Sequence, residues 1–549
     1  MYIAFEGIDG SGKTTLSNHV ADELRARGLK VFQTRKASGF ASPLATALRE
    51  LARDVRHLTM SPPVETLLGA AREAELLDAA VRPRLEAGEI VIADRSLCST
   101  LVQAVWGRGL DREAVERLLD FAGRALWPDL IVYCDVDPAT SRLRRRIQKI
   151  RERRTGDFGR KGLTGLVLRE RMREGYLALA KASPDRWTVL DNVALGKDEA
   201  AQAAFAVVAA RLGIDAPRVE PATKRSHAPV ALEDVHDWFY DRVCSLVPES
   251  PAMAGYLLLG LEDPRAHELR MDLAEAEPAI VAFGVRDLAT PDSMRIRYRL
   301  ASREPEVVAE SLTGLDDEDA WELRRSLLDE APAQIAASLR RIDSRAANRI
   351  REAVAELAPA GVLEGLGGLD TRFAWDLREA LGRAEPRALA LSLRGLDDDR
   401  AWELRSRLWA DHAAAVIEST TGLLSPAAWE LRRRYVARAP KLVVWTIGGM
   451  QTEEAWQIRE MASALGKELL DSVRGIPDER AWALREKHRA VWPHTAAGSV
   501  GALAATPRGE AFLRRELEAH PGDVMVVRKT VAVLGKRTVR EARAAGARA

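Results

Sequence analysis

The chain has 549 residues, more than a single hydrophobic core organises, which predicts roughly two to four domains. Its 82 lysines and arginines balance 81 aspartates and glutamates, so the net charge of +1 gives no overall reason to expect nucleic acid or a membrane surface as partner. The three cysteines, Cys98, Cys134 and Cys244, have no metal-ligand or redox spacing and fit a reducing cytoplasm. The first strand pattern starts directly after Met1, so no signal peptide is expected. No uninterrupted run of about 18 apolar residues predicts a membrane span.

Up to residue 214, short apolar strands alternate with helical stretches, the rhythm of a parallel sheet. Strands are predicted at residues 2–5, 30–34, 90–93, 130–135 and 187–190, giving an α/β three-layer P-loop domain over 1–214. Between the first strand and a helix beginning at Thr14 lies Gly7-x-x-x-x-Gly12-Lys13-Thr14, the phosphate-loop pattern in its expected setting. Glycines at such positions let successive backbone N–H groups cradle phosphates, and the helix start adds its positive dipole end. Gly7, Asp9, Gly10, Ser11, Gly12, Lys13, Thr14 and Thr15 are the candidate ATP-phosphate ligands. Lys13 suits the β- and γ-phosphates, and the Thr14 hydroxyl suits Mg²⁺.

The strand over 90–93 runs into Asp94-Arg95, at the carboxyl edge where ligands of open α/β sheets bind. Asp94 is a candidate for the Mg²⁺ shell, and Arg95 for clamping an acceptor phosphate. Residues 142–161 hold ten Lys or Arg against two acids, and a Gly-containing stretch at 155–159 looks like a hinge. A mobile basic lid neutralises charge on a transferring phosphoryl group, with Arg151, Arg153, Arg154 and Arg160 as candidates.

Together these segments resemble thymidylate kinase over residues 1 to about 212. The resemblance rests on 5–15 (FEGIDGSGKTT), Thr34-Arg35, Arg82-Pro83, Asp94-Arg95, 107–110 (GRGL), 128–138 (PDLIVYCDVDP) and 173–180 (REGYLALA). It implies transfer of the ATP γ-phosphoryl group to a nucleoside 5′-monophosphate, with Mg²⁺, in a protein that is usually dimeric. It also implies that catalytic arginines sit in the lid, since the phosphate loop carries none. Asp9, Arg35, Arg72, Arg95 and Gln103 are the implied acceptor residues, Asp9 meeting the sugar. The family's Thr-Arg-Glu-Pro-Gly-Gly-Thr reads Thr34-Arg35-Lys36-Ala37-Ser38-Gly39-Phe40, losing its acid and its proline. The aromatic that stacks on thymine is absent from Leu68-Gly69-Ala70-Ala71-Arg72. Counting back from Arg82-Pro83 without a gap puts Glu73, not Arg72, at the phosphate-binding arginine. The Tyr and Gln that would read the base are missing or shifted around Gln103. The donor side matches the family; the base-reading side departs from it.

Residues 215–229 read as a polar, Pro-containing linker. Beyond it, segments such as 314–324 (GLDDEDAWELR) recur with a period of 27, an arginine following the aligned Trp position by three residues from Arg270 to Arg485. Nine clear units, with degenerate ones near Trp238 and Phe512, predict an all-α, HEAT-like solenoid of two short helices per unit over 230–525. The first helix would be capped by the acidic residues before it. A basic tail or capping helix is expected over 526–549. The repeated Trp and Arg read best as packing between units; a guanidinium-lined surface for an acidic partner is the competing reading.

Two functional classes follow. One is a phosphotransferase acting on a nucleotide or another small phosphorylated acceptor. The other is an ATP-binding switch whose solenoid grips a protein partner. Nucleic-acid binding is disfavoured by the charge balance and by the lack of a basic patch interleaved with aromatics.

Overall fold

The first strand, β1 (Tyr2–Glu6), is buried along its whole length, as a continuous apolar run is when both faces of a parallel sheet are covered. The computed structural model describes residues 1–36, 39–53, 60–152, 166–193, 197–216 and 228–546. The chain divides into two compact units, Met1–Arg225 and Ser226–Ala549.

In the first unit, β1 leads to α1 (Lys13–Ala26), β2 (Val31–Gln33), β3 (Arg35–Lys36), β4 (Gly39–Phe40), α2 (Pro43–Arg53), α3 (Pro62–Leu76) and α4 (Arg82–Glu86). Then come β5 (Ile90–Asp94), α5 (Leu97–Val102), α6 (Arg112–Gly123), β6 (Leu130–Asp135), α7 (Pro138–Arg151), α8 (Leu166–Ala182), β7 (Trp187–Asp191) and α9 (Lys197–Leu212). Five strands form one parallel sheet in the order β2-β5-β1-β6-β7. Each lies within one residue of its predicted limits. Ile3 and Phe5 pack on Leu16, Val20 and Leu24 of α1 and on Phe205 and Val208 of α9. On the other face Tyr2 and Ala4 meet Leu97, Leu101 and Tyr176. Phe5 is in register with Asp94, so the functional ends of β1 and β5 stand side by side.

Three local features depart from expectation. A small antiparallel hairpin, β3 with β4, pairs Arg35 with Phe40. A π-helical turn, Leu77–Val81, separates α3 from α4. Such a turn accommodates one extra residue in a helix, which accounts for the longer count between Arg72 and Pro83. Finally, the start of the basic run is a regular helix. Residues 142–151 lie in α7, capped by Asp137, with Ile147 and Ile150 buried and Arg144 bonded to the Asn192 carbonyl. Arg151 is the exposed last residue of that helix. Arg153, Arg154, Arg160 and the expected hinge lie outside the described residues.

The second unit is built entirely of helices among the described residues. The first helix of each pair has its N-cap from a side chain: Asp317, Ser344, Thr371 and Asp398 each accept a backbone N–H three residues on. The second helix starts on proline, as at Pro305, Pro332, Pro359 and Pro386, where the missing N–H costs nothing. Where Ala413 replaces that proline, the two helices merge into Asp399–Ser419 with His412 (φ −128°) marking the junction. The turn after each second helix takes a left-handed residue, usually glycine (Gly314, Gly368, Gly395); Asp287 and Arg341 hold it at φ 63° and 65°. No described helix is long and apolar enough to cross a membrane.

The repeated arginine is the joint between units. Arg324 is fully buried and donates to the carbonyls of Leu312 (2.9 Å) and Leu315 (2.8 Å), at the end of the preceding second helix. It also reaches Oγ of Ser338 (3.1 Å), at the end of its own second helix. One guanidinium thus neutralises the negative ends of two successive helices. It lies 5.0 Å from the Trp321 ring centroid, and the Trp321 indole donates to Asp316 (2.9 Å). Arg297, Arg378, Arg405 and Arg485 repeat the pattern. These guanidiniums are spent inside the protein, which decides for packing against an acidic-partner surface.

The array also closes. Helix Val524–Gly546 crosses the boundary expected at 525/526; its first turns bury Val526, Val527 and Val531. It packs on Val235–Glu249, and Arg528 donates to the Leu257 (2.7 Å) and Leu259 (2.6 Å) carbonyls at the end of Pro251–Leu257. The last helix is therefore joined to the first ones by the device used between neighbours.

Candidate active site

The loop between β1 and α1 has left-handed backbone at Gly10 (φ 84°) and Gly12 (φ 87°). A Cβ on Gly12 would also lie 2.5 Å from Nδ2 of Asn192, so space and conformation both demand glycine. No side chain caps α1, and its first turn carries no acid, leaving its N–H groups and dipole for an anion. Asn192 secures the loop by donating to the Ser11 carbonyl (2.6 Å). Lys13 folds over it, donating to the Ile8 carbonyl (2.9 Å) and Ser11 Oγ (3.4 Å). Burial, with Arg95 adding to it against Asp9 and Asp94, pushes the Lys13 ammonium down to about 8. Thr14 and Thr15 are exposed on the first turn.

Asp94 ends β5 beside this loop. Its Oδ2 accepts from the Thr14 hydroxyl (2.6 Å) and Arg35 (3.4 Å), while its buried Oδ1 has no partner among the described residues. A hydroxyl and a half-used carboxylate suit Mg²⁺, which takes one or two protein oxygens and completes its shell with water and phosphate. Arg95 holds a left-handed conformation (φ 84°), a strain of the kind found at functional sites. Its guanidinium donates to the Gly7 carbonyl (3.1 Å), Ser99 Oγ (2.9 Å) and Asp9 Oδ1 (2.6 Å). Asp9 is shared with Arg145 of α7 (3.0 Å).

Near this edge, the guanidiniums of Arg35, Arg49 and Arg72 stand 5.7, 5.7 and 5.8 Å from the ring centroid of Phe40. Burial, then the neighbouring Arg35, Arg72 and Arg95, brings Arg49 down to about 10, a sign of crowded positive charge. Arg72, and not Glu73, belongs to this cluster; Glu73 is its buried counter-ion (Nε to Oε1, 3.0 Å). Gln103 opens a second π-helical turn, Gln103–Gly107, and is partly buried.

Sequence reasoning missed Arg49, Arg145, Phe40 and Asn192, which reach the site only through folding. It also missed Glu6, fully buried and accepting from Ser96 Oγ (2.8 Å), Ser99 Oγ (2.5 Å) and Tyr176 (3.1 Å). Ser99 links that network to Arg95.

Lys13 has a pH signature. Its free-state value near 8 rises when phosphate oxygens surround it, so nucleotide binding takes up a proton above that pH. Affinity for ATP is expected to hold below pH 8 and to fall by up to about tenfold per unit as pH rises past it. Calorimetry in buffers of different ionisation heat reads the proton uptake, which Lys13→Met should abolish.

The family model for thymidylate kinase matches residues 5–201. A thymidylate kinase of Geobacter sulfurreducens is 38% identical over 191 residues, 35% of this chain and 88% of that protein. One from Nitratidesulfovibrio vulgaris (strain DP4) is 36% identical over 213 residues, covering 39% of this chain and 94% of its own length. A solved thymidylate kinase from Ehrlichia chaffeensis is 26% identical, covering 39% of this chain and 98% of that one, with a TM-score of 0.30. With its phosphate loop, the Thr14–Asp94 pair and an arginine cluster beside the carboxyl ends of the strands, the chain belongs through its first unit to the thymidylate kinase family, the nucleoside monophosphate kinase phosphotransferases.

Proposed function

We propose that the first unit transfers the γ-phosphoryl group of ATP to a nucleoside 5′-monophosphate, with thymidylate as the default acceptor. The observation that carries this reading is the pairing of an uncapped, glycine-shaped phosphate loop with Arg35, Arg49, Arg72 and Arg95 on the neighbouring strand and helices. Backbone N–H groups of Gly7 to Thr15 hold the donor phosphates, and Lys13 follows the charge of the migrating group. Thr14 and Asp94 would hold Mg²⁺, which when bound neutralises donor charge and orients it. Arg35, Arg49 and Arg72 fix the acceptor phosphate, and Arg95 ties that side to Asp9 and the loop. Crowded guanidiniums in a partly buried site are already in place for an anion, so little reorganisation opposes transfer. Arg151, Arg153, Arg154 and Arg160 remain proposed lid residues.

A homodimer is supported by Leu44 and Leu51 of α2 and Val64 and Leu67 of α3, all exposed. A cytoplasmic setting is supported by three free cysteines, two of them buried. The switch reading, with a protein partner on the helical unit, draws on the loss of the thymine-stacking ring at Leu68.

A coupled ADP-release assay against a panel of nucleoside monophosphates tests the proposal, with Lys13→Met as blank. Thymidylate-dependent release at several turnovers per second is the expected result, on the order of typical kinase rates. Release that no acceptor stimulates, with ATP still bound, sinks the kinase reading in favour of the switch.

A further inference from the structure

In the closed helical unit, the second helices of successive pairs pack directly on one another and form the inner layer. Glycine permits that approach: any side chain on Gly361 would run into the backbone of Ala333. Charges along this layer mostly pair between units, as Arg286 does with Glu310, Arg394 with Glu418, and Lys441 with Glu468 (3.5 Å).

One sector breaks the pattern. Lys529, on the closing helix, lays its stem over Gly498, where a Cβ would stand 3.2 Å from its Cδ. Arg528, Arg474 and Lys467 surround it, with Asp471 as the acid. That acid is already engaged: Lys467 pairs with it, and Arg474 lies 3.8 Å away. Arg528 is committed to the Leu257 and Leu259 carbonyls. Lys529 has no hydrogen-bond or ion-pair partner among the described residues, and part of its surface stays open. Four cations thus stand around one carboxylate, whereas Arg286, Arg394 and Lys441 each pair with an acid of the next unit.

We propose that this sector is a binding site for a small oxyanion of the phosphate class, seated between the Lys529 ammonium and the Arg474 guanidinium. A guanidinium offers paired donors to a tetrahedral oxyanion, and an ammonium adds a point charge. Burial, then Arg528 and Arg474, brings Lys529 down to about 7, so its ammonium titrates near neutrality and a neighbouring anion would favour its charged form. Glu310, Glu418 and Glu468 fill the corresponding need elsewhere along the layer; at Gly498 no side chain does.

The probe is pyridoxal 5′-phosphate, applied to the full chain at neutral pH. The Lys529 amine adds to the aldehyde carbon, a C=N bond forms, and the carbonyl oxygen leaves as water. Borohydride then supplies hydride to that carbon while solvent protonates nitrogen, fixing the label for peptide mass mapping. Pyridoxal, which lacks the phosphate, is the control reagent, and exposed Lys30 is the internal reference. Relative to Lys30, Lys529 should be labelled about tenfold faster by the phosphorylated reagent than by pyridoxal. Millimolar inorganic phosphate should slow that labelling, and Arg474→Met should remove the preference. Gly498→Asp, which sets a carboxylate beside Lys529, should remove it too and guards against a misfolded Arg474 variant. Equal relative rates with both reagents would overturn the site, leaving only a reactive amine. Protection by succinate equal to that by phosphate would overturn the phosphate assignment.

Discussion

Lys13→Met should lower phosphoryl-transfer turnover by about a hundred- to a thousandfold, while thermal stability holds or rises. Removing one preorganised donor to a developing charge costs about 10²–10³ in rate, and among the described residues Lys13 is the lysine folded over this loop. Its ammonium is buried and displaced to about 8, so the unliganded fold carries it at a cost. Below that pH the native state must hold a charge it disfavours; above it, up to the ordinary lysine value, the unfolded chain binds more protons and stability rises with pH. Methionine keeps the volume and deletes the charge. Single-turnover rates measured beside a melting curve separate the two effects. A turnover loss under tenfold would show that Lys13 does not face the transferring group.

Arg324→Ala should destabilise the helical unit by about 3 kcal/mol, since it strands the Leu312 and Leu315 carbonyls after one helix and the Ser338 carbonyl and hydroxyl at the end of the next, and opens a cavity beside Trp321. The guanidinium is fully buried, and burial lowers it to about 10, so it is still ionised at neutral pH. Arg324→Lys should recover little: one ammonium does not span the two carbonyls and the Ser338 hydroxyl as a planar fork does. Hydrogen exchange resolves where stability is lost. Amides of Pro305–Ser311 and Pro332–Ser338 should lose protection first, and those of the first unit should be unmoved. Uniform loss over the whole chain would contradict a joint local to two units.

Much of this architecture was legible because local chemistry repeats or is constrained. β1, β5 and β6 read as strands because buried parallel strands are apolar throughout. The 27-residue period carries its own punctuation in the caps, Pro332 and its equivalents, and the left-handed glycines. Asp94 and Arg95 stand out as candidates because a strand's carboxyl end is a fixed address in such sheets. Other parts left no local signal. Phe40 reads as a loop residue, and only the β3–β4 hairpin brings it among Arg35, Arg49 and Arg72. Whether Arg72 or Glu73 joins the arginine cluster turns on a single π-helical turn, which a residue count registers only as a discrepancy. The composition after Arg537 reads as a basic tail or a capping helix and does not decide between them; the same helix begins with Val526 and Val527 in the core.

Joining the last helix to the first changes how strength is distributed. In an open stack the end units have one neighbour each, so they fray first and need polar caps. Here Arg528 gives the end of Pro251–Leu257 the support other units receive from both sides. No unit is terminal, and distance from a chain end no longer ranks the units. The weak places are instead set by composition: the junctions at His412 and Lys467, where the proline is missing, and Asp287 and Arg341, held where glycine is preferred. A single backbone cut in one turn would leave both fragments bound along every remaining joint. New chain termini could be opened at such a turn without exposing an apolar end.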